Sequence, residues 1–278
     1  MSLEVLKQLD GPIVLVGAGK MGGALLEGWL GLGIEPARLV VLDPNLNPEA
    51  AKALADKGVS ANPAYDAIPH AAVLILAVKP QVAPAVIASI RGIVGPKSVV
   101  VSIMAGRTIG FMQEALPRGA AIVRTIPNTP AAIGKGITVA VANAAVSPEA
   151  RAATSALLGT VGPVEWVESE SLIDAATAVS GSGPAYVFLL AEALAKAGAA
   201  AGLPADLADR LARATVSGAG ALLEQSGIDP AILRQNVTSP GGTTAAALAV
   251  LMDEAKGFGP LLTQAVAEAT HRSRELAG

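Results

Sequence analysis

The chain has 278 residues, enough to bury a sizeable core as one large domain or two modest ones. A net charge of −3 with no basic block, 3% aromatic residues and two tryptophans leave little to grip or stack on nucleic acid. The absence of cysteine excludes disulfides, thiolate metal sites and cysteine nucleophiles, and the two histidines lie in no cluster with Asp or Glu, so no metal centre or nucleophilic triad is expected.

The mean hydropathy of +0.53 raises the question of membranes. The longest uncharged runs, 175–191 and 235–252, are each broken by a Ser/Gly/Pro cluster and are rich in alanine. A span needs about 18 or more consecutive apolar residues, so both read as buried helix plus loop, with no membrane partner. The start, M-S-L-E-V-L-K-Q-L-D, lacks the basic end and apolar core of a signal peptide, so a cytoplasmic location is expected. High apolar content with few aromatics points to extensive helix-on-helix burial, an oligomer interface included.

In chain order, the first apolar run is I-V-L-V (13–16). It leads into G-A-G-K-M-G-G (17–23) and a helical pattern over 20–32. The spacing G-x-G-x-x-G at a strand end and helix start predicts a dinucleotide site. Gly17 permits the tight turn, Gly19 lets backbone approach a pyrophosphate, and Gly22 lets helix and strand pack. Ala18, Lys20 and Met21 complete the turn, and the helix start offers unpaired N–H groups to an anion. Such a turn also occurs for packing alone; the flanking elements and Asp43, about 20 residues on, favour the cofactor reading.

The next strand, 39–42, ends at Asp43. A carboxylate there would hold the adenine-ribose hydroxyls and repel a 2′-phosphate, and no Lys or Arg follows until Lys52. The cofactor is therefore NADH or NADPH, with a lean toward NADH. Asn45 could still accept a phosphate-bearing ribose, and Asp43 could be a turn residue before Pro44. After a helix over 48–57, a strand over 73–78 ends in Lys79-Pro80. Ala77, Val78, Lys79 and Pro80 should then follow the nicotinamide half of the cofactor, unless Lys79 is only a solvated loop lysine.

Further helices are predicted over 81–91 and 108–115, and strands over 98–102 and 120–124. R-T-I-P-N-T-P (124–130) makes a rigid turn whose polar tip, Asn128, either faces the nicotinamide or belongs to a plain loop. Two more runs, 137–142 and 164–167, bracket a helix that starts at Ser147-Pro148-Glu149, a serine cap followed by proline and an acid. Continuous apolar strands separated by helices predict an α/β fold over 1–167, a Rossmann-type, doubly wound, mostly parallel sheet. Over 168–278 the strand signal disappears. Helices near 169–178, 184–201, 204–225, 229–236, 243–254 and 258–275 predict an all-helical second domain.

Without histidine, cysteine or metal in the pattern, hydride transfer is the chemistry left open, because the cofactor supplies its reactive part. Reducing a carbonyl calls for a side-chain acid beside the forming alkoxide, whereas an imine can be protonated beforehand, so this inventory leans toward an imine. V-T-S-P-G-G-T-T (237–244) fits that leaning. N–H groups at a glycine turn opening a helix form a nest for a carboxylate, and Thr243 and Thr244 fall in the helix's first turn. The same residues would also serve as a helix break with capping threonines. S-G-S-G-P-A-Y (180–186) admits either close helix packing or substrate approach.

Taken together, G-A-G-K-M-G-G (17–23), A-V-K-P (77–80), R-T-I-P-N-T-P (124–130), S-G-S-G-P-A-Y-V-F (180–188), S-P-G-G-T-T (239–244) and K-G-F (256–258) resemble pyrroline-5-carboxylate reductase, the last enzyme of proline biosynthesis. The resemblance implies NAD(P)H-dependent reduction of L-1-pyrroline-5-carboxylate to L-proline. It also implies a Rossmann domain, a helical domain for dimerisation and substrate binding, and a site between the cofactor domain of one subunit and the helical domain of its partner. It implies a carboxylate held by Ser239, Gly241, Gly242 and Thr243, with Ser182 nearby. Thr244 is the implied proton donor, with Ser239 as a second catalytic hydroxyl. Self-association through the C-terminal helices into dimers, and into decamers of five dimers, is implied as well.

Two rivals remain. A β-hydroxyacid-type dehydrogenase would need a lysine in the glycine-rich segment after the first domain, yet Lys196 is the first lysine beyond 179–190. A dinucleotide sensor would need no hydroxyl-lined second loop.

Overall fold

The computed structural model describes residues 2–277. Eight strands form one sheet: β1 (Ile13–Val16), β2 (Leu39–Leu42), β3 (Ser60–Ala61), β4 (Val73–Leu76), β5 (Val99–Ser102), β6 (Ala121–Pro127), β7 (Thr138–Ala142) and β8 (Val164–Trp166). Their order is β3-β2-β1-β4-β5-β6-β7-β8. Neighbours run parallel except β6 and β7, which pair antiparallel.

All residues of β1, β2, β4 and β5 are buried. Leu15, Val41, Ile75 and Val101 face Leu25, Trp29 and Leu157 on one side of the sheet. Val14, Val40, Leu74 and Val100 face Ile87, Ile90 and Met112 on the other. A sheet covered on both faces needs apolar residues at every strand position, which is why these strands read as unbroken apolar runs.

The covering helices are α1 (Ser2–Lys7), α2 (Lys20–Leu32), α3 (Pro48–Asp56), α4 (Ala83–Ile90), α5 (Ile109–Ala115), α6 (Pro148–Leu158) and α7 (Leu172–Ala176). α3 and α6 each begin with a side-chain cap and proline. Asn47 accepts the Ala50 N–H at 2.7 Å, and Ser147 accepts the Ala150 N–H at 3.2 Å. The Trp29 indole N–H donates to the Leu157 carbonyl at 2.9 Å, tying α2 to α6 across the buried face.

Several local expectations shift. β4 stops at Leu76, so Ala77 and Val78 lie in the loop beyond it. β6 runs on to Pro127 instead of ending at Arg124, because antiparallel β7 supplies partners as far as the pair Pro127 and Thr138. α1, the two-residue β3 and a π-helical turn at Thr177–Gly181 are additional elements. Arg38 caps α1 from outside, donating to the carbonyls of Leu6, Leu9 and Gly11.

Contacts divide the chain into two compact units: one runs through Gly181 and includes the chain from Thr270 onward, the other is Ser182–Ala269. This contact boundary falls beyond 167/168. Ile173 on α7 is fully buried in the sheet's core, and Glu170 binds into it, so the segment after β8 belongs with the sheet. The Ser273 hydroxyl donates to Asp174 at 2.7 Å, joining the chain end to α7 within the same unit.

The second unit contains α8 (Gly183–Ala200), α9 (Ala205–Ser226), α10 (Pro230–Asn236), α11 (Thr243–Leu251) and the first part of α12 (Phe258–Ala277). α8 and α9 pack through small residues: Ala208 and Ala212 are buried, and a Cβ on Gly198 would lie 3.3 Å from that of Ala208. Among the described residues, α8, α10, α11 and α12 bury no side chain within the chain. This corrects the expectation that 175–191 and 235–252 are buried: their helices leave Phe188, Leu189 and Val250 exposed. The helical run Leu172–Ala200 contains an 18-residue stretch of mean hydropathy 1.3, long and apolar enough to cross a membrane, and 6% of that stretch is buried.

Candidate active site

The strand order reverses between β1 and β4, and in open α/β sheets the ligand crevice lies beyond the carboxyl ends at that point. Gly17 follows β1 with φ 96°, and its N–H donates to the Leu42 carbonyl at 2.8 Å. A Cβ there would lie 2.7 Å from the Ala77 carbonyl oxygen, and one on Gly22 would overlap the Gly17 carbonyl oxygen. Gly19 differs. It precedes α2 with no side-chain cap, and nothing lies within 4 Å of a Cβ placed on it. The outer glycines of the motif are therefore demanded by packing, whereas the middle one borders free space at a helix N-terminus, as an anion cradle requires.

That space is part of a groove of about 1010 Å³. Of the sequence-predicted residues, Gly17, Gly19, Asp43, Ala77, Val78 and Lys79 line it. Ala18, Lys20, Met21, Gly22, Pro80 and Asn128 do not. Lys20 is exposed, and Met21 packs toward the sheet core. The Pro80 carbonyl accepts two hydrogen bonds from Arg107, at 3.1 and 2.8 Å. Asn128 accepts the Ile137 N–H at 2.9 Å and donates to the Ser180 carbonyl at 3.1 Å, tying the end of β6 to the π-helical turn.

Asp43 stands at the rim. Its Oδ2 accepts the Ala18 N–H at 2.8 Å and its Oδ1 accepts the Asn45 N–H at 2.9 Å. Among the described residues lining the groove, Lys79 is the one cation, and it follows β4 instead of β2. Sequence reasoning missed the wall formed by Asn62, Pro63, Tyr65, Val82, Ala85, Val86 and Ser89. The Asn62-Pro63 pair is a turn signal that could have drawn attention; the apolar residues on α4 carry none.

Arg124 is a mid-strand residue with a side chain 2% exposed. Its Nη1 meets Glu170 Oε1 at 2.7 Å, and the same oxygen accepts the Ile109 N–H at 2.9 Å. The pair joins β6 to the chain before α7 and holds the start of α5.

In the helical unit, the 237–244 loop ends at Gly242, which precedes α11, and the first helical hydrogen bond is Ala246 N–H to the Gly242 carbonyl at 3.2 Å. The N–H groups of Thr243, Thr244 and Ala245 precede that bond and find no acceptor among the described residues. Gly241 holds φ 71°, and the Gly242 N–H closes the turn on the Ser239 carbonyl at 3.1 Å. A Cβ on Gly242 would lie 2.5 Å from Ser239 Oγ. The hydroxyls of Ser239, Thr243 and Thr244 make no hydrogen bond among the described residues, unlike Thr238, which donates to the Arg234 carbonyl at 2.6 Å. Three free N–H groups and three free hydroxyls gathered at a helix start suit a carboxylate without a cation. Ser182 stands just before α8, and its side chain makes no capping hydrogen bond.

A doubly wound sheet with a glycine cradle at its switch point, followed by a helical unit, defines a Rossmann-type oxidoreductase that uses a nicotinamide dinucleotide. Residues 12–106 match the family described as NADP oxidoreductase coenzyme F420-dependent, and residues 170–276 match pyrroline-5-carboxylate reductase dimerisation. The chain is 39% identical to pyrroline-5-carboxylate reductase of Pseudomonas aeruginosa, over 95% of this chain and 96% of that one. A solved structure of the Coxiella burnetii reductase superposes with TM-score 0.88 at 32% identity, covering 96% and 99% of the two chains. The Plasmodium falciparum enzyme, solved with NADP bound, gives 0.79 at 27%, covering 97% and 99%. The chain belongs to the pyrroline-5-carboxylate reductase family. The β-hydroxyacid alternative falls away with that assignment.

Proposed function

We propose that this chain reduces L-1-pyrroline-5-carboxylate to L-proline, the last step of proline biosynthesis, with NADH preferred over NADPH. The observation that carries the reading is the uncharged loop before α11, whose free N–H groups and hydroxyls match a carboxylate carried beside a protonated imine. A fixed cation there would compete with the protonated nitrogen for the carboxylate. Gly241, Gly242, Thr243 and Ser239 hold the carboxylate, with Ser182 alongside. Thr244, with Ser239, holds and delivers the proton at the ring nitrogen.

Bound in the groove, the reduced dinucleotide supplies the hydride. The chain's own contribution is placement: the turn from Gly17 to Gly22 receives the pyrophosphate, Asp43 the adenine ribose, and 77–80 with Asn128 the nicotinamide end. The NADH preference rests on the Asp43 carboxylate and on the lack of a cation beside it in the groove. In functional terms we assign 1–167 to the cofactor and 168–278 to dimerisation and substrate. The exposed apolar faces of α8 and α12 are covered by a second copy instead of a membrane, and dimers assemble further, up to a decamer, in the cytoplasm.

Purified protein mixed with NADH and pyrroline-5-carboxylate should form proline while NADH absorbance falls. Loss of neither reagent, or oxidation of NADH without proline, overturns the reading.

A further inference from the structure

We propose that Asn62 governs the choice between NADH and NADPH, acting as a positioning residue that immobilises Asp43. This rests on the reading above that Asp43 faces the adenine ribose. Asn62 is the one non-glycine residue with positive φ among the described residues, at 47°. Asparagine tolerates that left-handed conformation better than other side chains. Its N–H donates to the Val41 carbonyl at 2.8 Å, which brings the side chain level with the end of β2.

There its amide meets both backbone groups of a single residue. Oδ1 accepts the Asp43 N–H at 2.8 Å, and Nδ2 donates to the Asp43 carbonyl at 2.8 Å. Asp43 has just left the sheet, so among the described residues no neighbouring strand holds these groups; Asn62 holds both, sharing the carbonyl with the Leu46 N–H at 3.1 Å. The carboxylate is anchored in turn by the Ala18 and Asn45 N–H groups, one on each oxygen. Backbone and side chain are thereby both fixed at the rim of the groove that Asn62 also lines.

The consequence is selectivity. A mobile aspartate could swing away from a 2′-phosphate and admit NADPH. One held by five hydrogen bonds, two of them from Asn62, cannot, so the like-charge repulsion is felt in full while the oxygens stay aimed at ribose hydroxyls. Removing the clamp should therefore relax the preference without removing the charge.

Asn62→Gly keeps the left-handed backbone and deletes the amide; Asn62→Ser deletes it with a side chain present. Dissociation constants for NADH and NADPH, from fluorescence titration of the full-length protein, give the readout independently of turnover. Both variants should narrow the NADH-to-NADPH affinity ratio about tenfold, the scale expected when two neutral hydrogen bonds of ordinary net strength are lost. Placed on an Asp43→Ser background, neither should change the ratio further, because the effect passes through the carboxylate. If Asp43→Ser shifts the ratio but the Asn62 variants weaken both dinucleotides equally, the positioning role is overturned and the Asp43 reading stands. A shift with Gly but not Ser assigns the effect to backbone freedom and also overturns it. If Asp43→Ser leaves the ratio unchanged, the underlying reading fails, and the inference with it.

Discussion

Two helix starts in this chain present free N–H groups beside glycine, yet their surroundings differ. In the sheet unit, Gly17 and Gly22 are hemmed in by backbone, and α2 is locked by the fully buried Trp29. In the helical unit, nothing lies within 4 Å of a Cβ placed on Gly241, and α11 buries no side chain in its own chain. The first turn, the candidate pyrophosphate site, is shaped by a core for which the described residues of this chain suffice. The second stands on helices whose apolar faces, with Phe188 66% and Leu261 60% exposed, are left uncovered by the described residues. A unit that buries so little can hold a loop in one geometry only with help, and a second copy of the same helices would provide it.

The sharpest way to break this contrast is to charge the uncovered face. Phe188→Asp should leave NADH affinity in the sheet unit within about twofold, yet abolish dimers and lower reductase activity by about two orders of magnitude or more, since an unpaired carboxylate in an apolar interface costs several kcal/mol. Light scattering and fluorescence titration read the two arms. A variant that stays dimeric and active would show that α8 lies outside the interface.

A smaller effect is expected inside the helical unit's loop. Thr244→Ala should lower kcat about a hundredfold, the lower end of the range for a positioned proton donor, with NADH affinity unchanged. Thr243→Ala should act on the substrate KM instead. Equal losses in turnover and cofactor affinity for Thr244→Ala would remove it from the chemistry.

What could be read from the chain follows the same division. β1, β2, β4 and β5 were legible because burial on both faces imposes unbroken apolar runs, and the cap at Ser147 has a sequence signature of its own. β3 pairs through two residues, too few to leave a pattern. The extension of β6 depends on an antiparallel partner that its own sequence does not announce. The glycine turn and the Ser-Pro-Gly-Gly-Thr-Thr loop were visible as breaks between periodic segments, although packing and helix capping use the same residues. Asn62 was not, because its part comes from a backbone angle and from where β3 places it beside Asp43. Burial of 175–191 was overestimated for the opposite reason: an apolar helix reads the same whether its own chain or another covers it.

The smallest effects separate the two cradles most cleanly. Both tryptophans, Trp29 and Trp166, belong to the sheet unit, so tryptophan fluorescence reports its melting alone while far-ultraviolet dichroism reports both units. Gly22→Ala forces a methyl against the Gly17 carbonyl and should cost about 1–3 kcal/mol, lowering the fluorescence-detected Tm by several degrees. Gly241→Ala meets no atom of the described residues and incurs only the left-handed penalty of about 1–2 kcal/mol, confined to the helical unit. Its fluorescence-detected Tm should match the parent's while the dichroism transition falls by a few degrees. A fall of both signals together would mean that the loop before α11 is bound into the sheet unit's own cooperativity, and the division of labour between the two cradles would be lost.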